Sequence, residues 1–421
     1  LDKFIIHGEK KLSGTVEIGG SKNAALPIMV ATLLAPGKYT IHNVPRLRDV
    51  RTMAHLLRII GAKIEFENHS LVIDTLRADF PEAPYELVKT MRASVYVLGP
   101  LLARFGRARV SLPGGCAWGP RPIDLHMKGM EKLGAKLELD QGYIVARTNQ
   151  LKGNHIHLDT SSVGATGNVM MAAVLASGIT TIENAAMEPE IIDLGNFLKN
   201  MGARIEGLGT NKIQIEGVPG LRPSDYSVIP DRIETGTFLI AGSLTGGKMK
   251  LKNCQPDHLT EVLDKLRETG AHLKVDQNAI EIGGAEQIKP VNVTTSIYPG
   301  FPTDLQAQWI ALMSRADGSS MVTDTIFTDR FTHVPELNRL GAKIVVKNNS
   351  AFIQGVSGLN GAPVMSTDLR ASASLVLAAL AAKGRTDLHR VYHIDRGYEK
   401  IEEKFRLLGA DILRSDDQES E

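Results

Sequence analysis

The chain has 421 residues, too many for one hydrophobic core and enough for about two domains. Its 43% hydrophobic and 23% charged residues are ordinary for a globular protein and exclude wholesale disorder. With 48 basic against 47 acidic residues the net charge is +1, a poor match for a dedicated nucleic-acid or membrane-surface binder, so any bound anion must be met by a local cluster of cations.

In chain order, the opening LDKFIIHGEKK has no long apolar stretch behind its basic residues, so no signal peptide is expected. The longest apolar runs, such as residues 169–176, fall far short of the roughly 18 residues of a membrane span. Residues 4–6 and 15–18 read as strands. A Gly-Gly-Ser then opens SKNAALPIMVATLLAPGKYTI, a polar start followed by a helix of small apolar residues, a glycine and a strand. The same phrase returns as SSVGATGNVMMAAVLASGITTI and STDLRASASLVLAALAAKGRTDL. Its closing glycines across the chain are Gly37, Gly106, Gly178, Gly247, Gly318 and Gly384. Small side chains on every face predict a helix buried all round, since only they allow close approach on all sides.

A second phrase interleaves with the first: LRIIGAKIEF, MEKLGAKLEL, LKNMGARIEG, LRETGAHLKV, LNRLGAKIVV and FRLLGADILR. Its glycines, Gly61, Gly134, Gly202, Gly270, Gly341 and Gly409, stand 68 to 73 residues apart. Leu57 and Ile60, or Leu198 and Met201, share a helical face. The glycine supplies the left-handed residue that ends a helix, and the period then drops to two, as in Ile64-Glu65-Phe66, for a half-buried strand. The chain thus reads as an α/β protein of six β-α-β-α-β type repeats, three in each of two lobes. One lobe is expected over residues 22–229 and the other over 1–21 plus 230–421. Candidate crossings are Gly19-Gly20-Ser21 and residues 227–231, with the ligand site in the cleft between lobes. A stacked-repeat scaffold without chemistry is the plainer alternative.

Function should show where the copies differ. The most unusual segment, SLPGGCAWGPRPIDLHM at residues 111–127, reads as a long Gly/Pro loop with Cys116 near its tip and Arg121 close enough to lower its pKa. A cysteine there can act as acid or nucleophile, whereas Cys254 reads as a buried small hydrophobe. Only two cysteines in the chain exclude a disulfide scaffold or Cys-rich zinc site and fit a reducing cytoplasm. Cations recur at the starts of repeat helices: Lys22, Arg92, Arg232 and Arg370. Asp304 opens the fifth such helix, and Asp at that position is most often an N-cap, whose loss costs only about 1 kcal/mol. Arg330 and Arg396 lie in polar turns. Such cations suggest one convergent basic cavity for a small anion carrying phosphate and carboxylate. The 12 histidines show no metal-binding spacing, and there is no Walker A or dinucleotide fingerprint. Acid–base chemistry on an anionic small molecule, with no metal and no cofactor, is what remains.

The blocks GGSKNAALPIMVATLL, LPGGCAWGPRPIDLH, PDRIETGTF, GFPTDLQAQW, RFTHVPELNRLGA and HIDRGYEKIEEKFRLLGA, found along essentially the whole chain, resemble the UDP-N-acetylglucosamine 1-carboxyvinyltransferase family of enolpyruvyl transferases. The resemblance implies a two-lobed inside-out α/β barrel. It also implies transfer of the enolpyruvyl group of phosphoenolpyruvate to the 3′-hydroxyl of UDP-N-acetylglucosamine, the first committed step of peptidoglycan synthesis. The implied partners are these two small molecules, with no nucleic acid and no membrane. By this resemblance Cys116 protonates the enol methylene and Asp304 is the candidate base. Lys22, Arg121 and Arg396 clamp phosphoenolpyruvate, and Asn23 lies at the reacting centre. Arg92, Arg121, Pro122, Ile123, Asp124, Leu125, Ser162, Val163, Gly164, Asp304 and Ile326 match nucleotide-sugar contacts, and Arg330, Asp368 and Arg370 line the cleft. Thr160 stands where many members have Lys, and Trp118 and Pro120 where smaller residues are common. The related 5-enolpyruvylshikimate-3-phosphate synthase is the nearest rival, and Cys116 in its Gly/Pro loop argues against it. A non-catalytic nucleotide-sugar-binding repeat protein is the other, and the presence of Lys22, Cys116, Asp304 and Arg396 argues against that.

Overall fold

The structure, a computed structural model, describes residues 2–112 and 123–416. All six Gly-Ala glycines take the left-handed conformation that the pattern requires, with φ from 89° to 111°. Five of the six glycines of the other phrase do so too. In the fourth copy the left-handed residue is Gly246, φ 65°, which caps the helix Arg232–Thr245 one position before the expected Gly247.

In five copies the strand after Gly-Ala is the first arm of a hairpin, as in Lys63–Glu67 with Ser70–Asp74 and Lys343–Lys347 with Ser350–Gln354; in the sixth, Asp411–Asp416 takes its antiparallel partner from Asp2–His7 instead. Each copy therefore contributes to a four-stranded sheet in which one parallel pair is extended by two antiparallel strands. Alternation decides which face is covered: in Lys212–Glu216 both isoleucines are buried while Lys, Gln and Glu face water.

The chain divides into two compact units, Gly20–Ile229 and Leu1–Gly19 with Pro230–Glu421. In Gly20–Ile229 three sheets surround the helices Lys22–Ala31, Leu98–Phe105 and Val163–Ala173, of which the first and last are buried on nearly every face. Small residues make this possible. A Cβ at Gly99 would lie 2.4 Å from the carbonyl oxygen of Asn168, so two central helices meet backbone to backbone there. Asn168 secures the contact by accepting from Gly99 N–H (2.7 Å) and donating to the Val95 carbonyl (2.9 Å).

The other unit repeats the plan around Arg232–Thr245, Gln306–Met313 and Leu369–Ala381. Two of its sheets are completed by N-terminal strands. Ser13–Glu17 runs parallel to Lys248–Lys252, and Asp2–His7 lies between Arg385–His389 and Asp411–Asp416. Trp309 is wholly buried with its ring edge-on to Phe301 at 5.3 Å, a contact whose truncation to Ala costs about 3–5 kcal/mol. The expected architecture of six α/β copies, three in each unit, with helices inside and sheets outside, is thus what the residues build. Among the described residues no helix is long and apolar enough to cross a membrane.

Candidate active site

In the unit Gly20–Ile229 the described site residues stand at helix starts, where the first backbone N–H groups lack helical partners and favour anions. Ser21 caps Lys22–Ala31, its Oγ accepting from Ala24 N–H at 3.3 Å. Lys22 follows, with its ammonium 3.3 Å from Asp49 Oδ2; only 11% and 6% of the two side chains are exposed. Asn23 is half-buried in the same turn. Arg92 opens the tight turn Arg92–Val97 that leads into Leu98–Phe105.

Ser162 caps Val163–Ala173 by accepting from Ala165 N–H at 3.2 Å, and Val163 and Gly164 form the first turn. Ile123 precedes the helix Asp124–Lys132, whose Leu125 is buried. His126 lies behind this surface. Burial pushes its pKa down to about 4 against the opposing pull of Asp124, so the ring is neutral, and Asn168 Nδ2 donates to its Nδ1 at 3.0 Å. A Cβ at Gly164 would come 3.0 Å from His126 Nε2, so the helix start packs closely on the imidazole and a larger residue there would have to push the ring back. Cys116, Arg121 and Pro122 lie outside the described residues.

In the other unit Asp304 is not the helix cap that its sequence position suggests. It sits in the tight turn Thr303–Leu305, which has no side-chain cap, and its carboxylate is taken by two arginines. Arg330 Nη1 donates to Oδ1 at 2.9 Å and Arg370 Nη2 to Oδ2 at 2.8 Å. Their side chains are 10% and 4% exposed, against 25% for Asp304. Burial raises the Asp304 pKa, but Arg370 and then Arg330 overcome it and hold the carboxyl well below the usual range. The raw attraction at 2.8 Å is about 6 kcal/mol per contact at an effective dielectric of about 20.

The cluster is held from behind. Arg370 Nη1 donates to Tyr398 Oη at 3.2 Å, and that hydroxyl meets Thr237 Oγ1 at 2.8 Å and Gln308 Nε2 at 3.2 Å. Gln308 also donates to the Asp304 carbonyl, and Gln306 to the Arg330 carbonyl. Asp368 is the helix cap, accepting from Arg370 N–H at 2.8 Å and Ala371 N–H at 3.1 Å. Ile326 is 37% exposed on the loop before Arg330. Arg396 ends the half-buried turn Val391–Arg396, whose Asp395 is gripped by Arg414 at 3.0 and 2.6 Å. Arg232 lies over the Tyr298 ring. Cys254 is buried and its thiol pushed up to about 11 by burial, an inert residue as expected. Among the described residues no group of three His, Cys, Asp or Glu side chains could hold a metal ion.

The structure therefore brings Asp304, Arg330 and Arg370 into bonded contact in one unit and sets Lys22 on Asp49 in the other. Reading the sequence missed Asp49, Tyr398 and Gln308. Two of these carried a readable signal. Asp49 falls on the same helical face as the buried Met53, Leu56 and Ile60, and Gln306 and Gln308 interrupt an otherwise apolar buried helix. A polar group on a buried stripe needs a partner.

A carboxylate held by two buried arginines in one unit, and a buried lysine at a helix start in the other, suit chemistry on a small anion, and the comparisons with known proteins agree. The model of the family described as EPSP synthase (3-phosphoshikimate 1-carboxyvinyltransferase) matches residues 6–405. The enolpyruvyl transferase NikO from Streptomyces tendae superposes with a TM-score of 0.89 at 27% identity, covering 98% of this chain and 99% of that one. EPSP synthase from Acinetobacter baumannii superposes at 0.77 with 19% identity, a likeness of fold. The chain belongs to the EPSP synthase family of enolpyruvyl transferases, and it is an enzyme of that class. Within the family it is similar over nearly its full length to proteins named UDP-N-acetylglucosamine 1-carboxyvinyltransferase. The relative from Chloroherpeton thalassium is 58% identical over 98% of this chain and 97% of its own, and that from Chlorobium chlorochromatii 54% identical over 100% of both.

Proposed function

We propose that this chain transfers the enolpyruvyl group of phosphoenolpyruvate to the 3′-hydroxyl of UDP-N-acetylglucosamine, releasing phosphate, in the cytoplasm and as the committing step of peptidoglycan synthesis. The observation that carries this reading is identity of 58% over almost the full length to a protein of that name. The reaction runs by addition and elimination. An acid protonates C3 of the enol, which leaves an oxocarbenium-like centre at C2. The 3′-oxygen adds to C2 as its proton passes to a base. The resulting ketal then loses phosphate from C2 and a proton from C3, which restores the double bond. Such a path needs an acid, a base and fixed cations.

Cys116 is the acid in this reading and Asp304 the base. Lys22, Arg121 and Arg396 hold phosphoenolpyruvate, with Asn23 at the reacting centre. Arg92, Ile123, Asp124, Leu125, Ser162, Val163, Gly164 and Ile326 hold the nucleotide sugar. Lys22 is held in place by Asp49, so this member of the clamp is ordered before substrate arrives. Asp304 is different. Two arginines make it a carboxylate at any working pH but also a weak base. It gains basicity when a substrate anion draws Arg330 or Arg370 away from it. The two roles therefore belong to successive moments: Asp304 first holds the arginines, then receives the 3′-hydroxyl proton.

Phosphate release from phosphoenolpyruvate, measured with UDP-N-acetylglucosamine and with shikimate 3-phosphate as separate acceptors, tests the reading. Release with the nucleotide sugar alone is expected. Release only with shikimate 3-phosphate would favour the activity in the name of the matched family instead.

A further inference from the structure

Asp324 is fully buried and has no part in the chemistry above, yet both of its carboxylate oxygens are engaged. Oδ1 accepts from Thr295 Oγ1 at 2.8 Å and from the backbone N–H groups of Ile326 and Phe327 at 2.9 and 2.8 Å. Oδ2 accepts from Thr303 Oγ1 at 2.7 Å. Thr303 Oγ1 in turn accepts from Arg330 Nη1 at 3.2 Å, and that same nitrogen donates to Asp304 Oδ1 at 2.9 Å. A hydroxyl has one hydrogen and a carboxylate has none to give, so the direction is fixed: Arg330 donates to Thr303 and Thr303 to Asp324. No lysine or arginine bonds Asp324 among the described residues, and a carboxylate buried among neutral donors is costly unless every bond is made.

The position of these bonds gives them a purpose. Those to Oδ1 hold the loop that carries Ile326 and leads to Arg330, and the bond to Oδ2 holds the turn that carries Asp304. We propose that Asp324, acting through Thr303, is a positioning residue that sets where the Arg330 guanidinium lies against the Asp304 carboxylate, and so how readily Asp304 takes a proton from a substrate hydroxyl. Its consequence for turnover rests on the reading of Asp304 as the base; the geometry itself concerns the substrate-free chain. Other charged and titratable groups act here as well. Arg370 faces Asp304 directly, with Tyr398 and Asp231 acting on Arg370, while the charges of Arg330 and Asp368 both act on His333. Of the two arginines on Asp304, Arg330 is the one bonded to Thr303.

Asp324→Asn in the full chain is the first test. The amide oxygen keeps the bonds of Oδ1, while an N–H₂ group now faces Thr303 and competes with Arg330 for the hydroxyl lone pairs. The carboxyl ¹³C signal of Asp304, assigned by its loss in Asp304→Asn, is followed against pH without substrate. In the variant its midpoint should rise by about one unit. The acid limb of the pH profile of kcat/KM should move up with it. Above that limb turnover should rise by up to about tenfold, the rate equivalent of one unit of added basicity, while KM for UDP-N-acetylglucosamine changes far less. Thr303→Val, which leaves the three bonds of Oδ1 untouched, should do the same, and Thr303→Ser should restore the parent behaviour. Should Asp324→Asn fail to fold, the Thr303 pair decides alone. A folded Asp324→Asn or Thr303→Val in which Asp304 stays ionised as far into acid as in the parent overturns the proposal, whatever happens to turnover. A parent chain inactive on both acceptors would sink the functional reading and leave the titration to decide this one.

Discussion

Removing the Asp304 carboxylate should destabilise the chain well beyond the loss of a helix cap. Arg370 and Arg330, 4% and 10% exposed, would be left facing each other without a counter-charge. Most of the raw attraction in such a cluster is offset by desolvation, but breaking it from one side costs about 3–5 kcal/mol. The carboxylate is itself 25% exposed, and the arginines keep Tyr398 and Thr303 as partners, so the low end, about 3 kcal/mol, applies to Asp304→Ala. In a unit of this size that corresponds to a fall in Tm of about 6–12 °C. Denaturant unfolding of the parent, Asp304→Ala and Asp304→Asn, each with and without phosphate, is the assay. Phosphate should restabilise the variants more than the parent, because two guanidinium forks then face a vacant anion position.

The pH dependence has a definite sign. A carboxyl whose folded pKa lies below its unfolded value of about 3.9 stabilises fully above that value and loses its effect as pH falls toward the folded pKa. The difference between parent and Asp304→Asn should therefore be constant above about pH 5 and shrink below about pH 4. A loss of about 1 kcal/mol or less, with no response to phosphate, would refute the reasoning and reduce the cluster to the weight of a surface ion pair.

Asp193 has the opposite sign. Burial pushes its pKa up to about 6 against the bonds from Tyr226 Oη and Ile229 N–H, so the folded chain holds its proton longer than the unfolded one. Stability should fall as pH rises from about 4 to 6, and Asp193→Asn should flatten that slope in pH-dependent unfolding. Lys22→Ala should raise KM for phosphoenolpyruvate while calorimetric binding of UDP-N-acetylglucosamine alone stays near the parent value; equal losses would assign Lys22 to the fold. An anionic epoxide such as fosfomycin should alkylate Cys116 and spare the buried Cys254, and peptide mapping that finds the label on Cys254 would mean the loop cysteine is misassigned.

How much of this was legible in the sequence varies with how local the cause is. Left-handed glycines, buried Ala/Ser/Gly helices and alternating strands follow from φ preference, side-chain size and pleat, so the six copies could be read directly. Even there the cap at Gly246 rather than Gly247 was ambiguous, because either of two adjacent glycines satisfies the same steric rule. The site divides along the same line. Lys22, Arg92 and Arg370 announce themselves by standing at the starts of apolar helices. The partners of Asp304 come from a loop 26 residues away and a helix start 66 residues away, so its change from apparent cap to arginine-bound carboxylate was not written in its neighbourhood. Asp324 was hidden more fully still. Its four donors come from three segments, and in VTDT it looks like any aspartate at a strand end.

The strand Asp2–His7 pairs along its whole length with Asp411–Asp416, and Arg414 reaches back to Asp2 across 412 residues of chain. A ribosome therefore makes one of the first strands of this unit long before its partner exists. At about 5–20 residues per second the wait is roughly 20–80 s, while residues 20–229 emerge as one uninterrupted stretch able to fold meanwhile. An unpaired strand is a template for unwanted association, and Lys3, Lys10 and Lys11 around it supply charge of the kind that discourages it. The order of translation could be changed without touching any contact described here. A permuted gene that joins residue 416 to residue 2 through a short linker and opens the chain between Ile229 and Pro230 would make both units continuous in sequence. Its product should accumulate less as aggregate during rapid synthesis, with the native strand register unchanged.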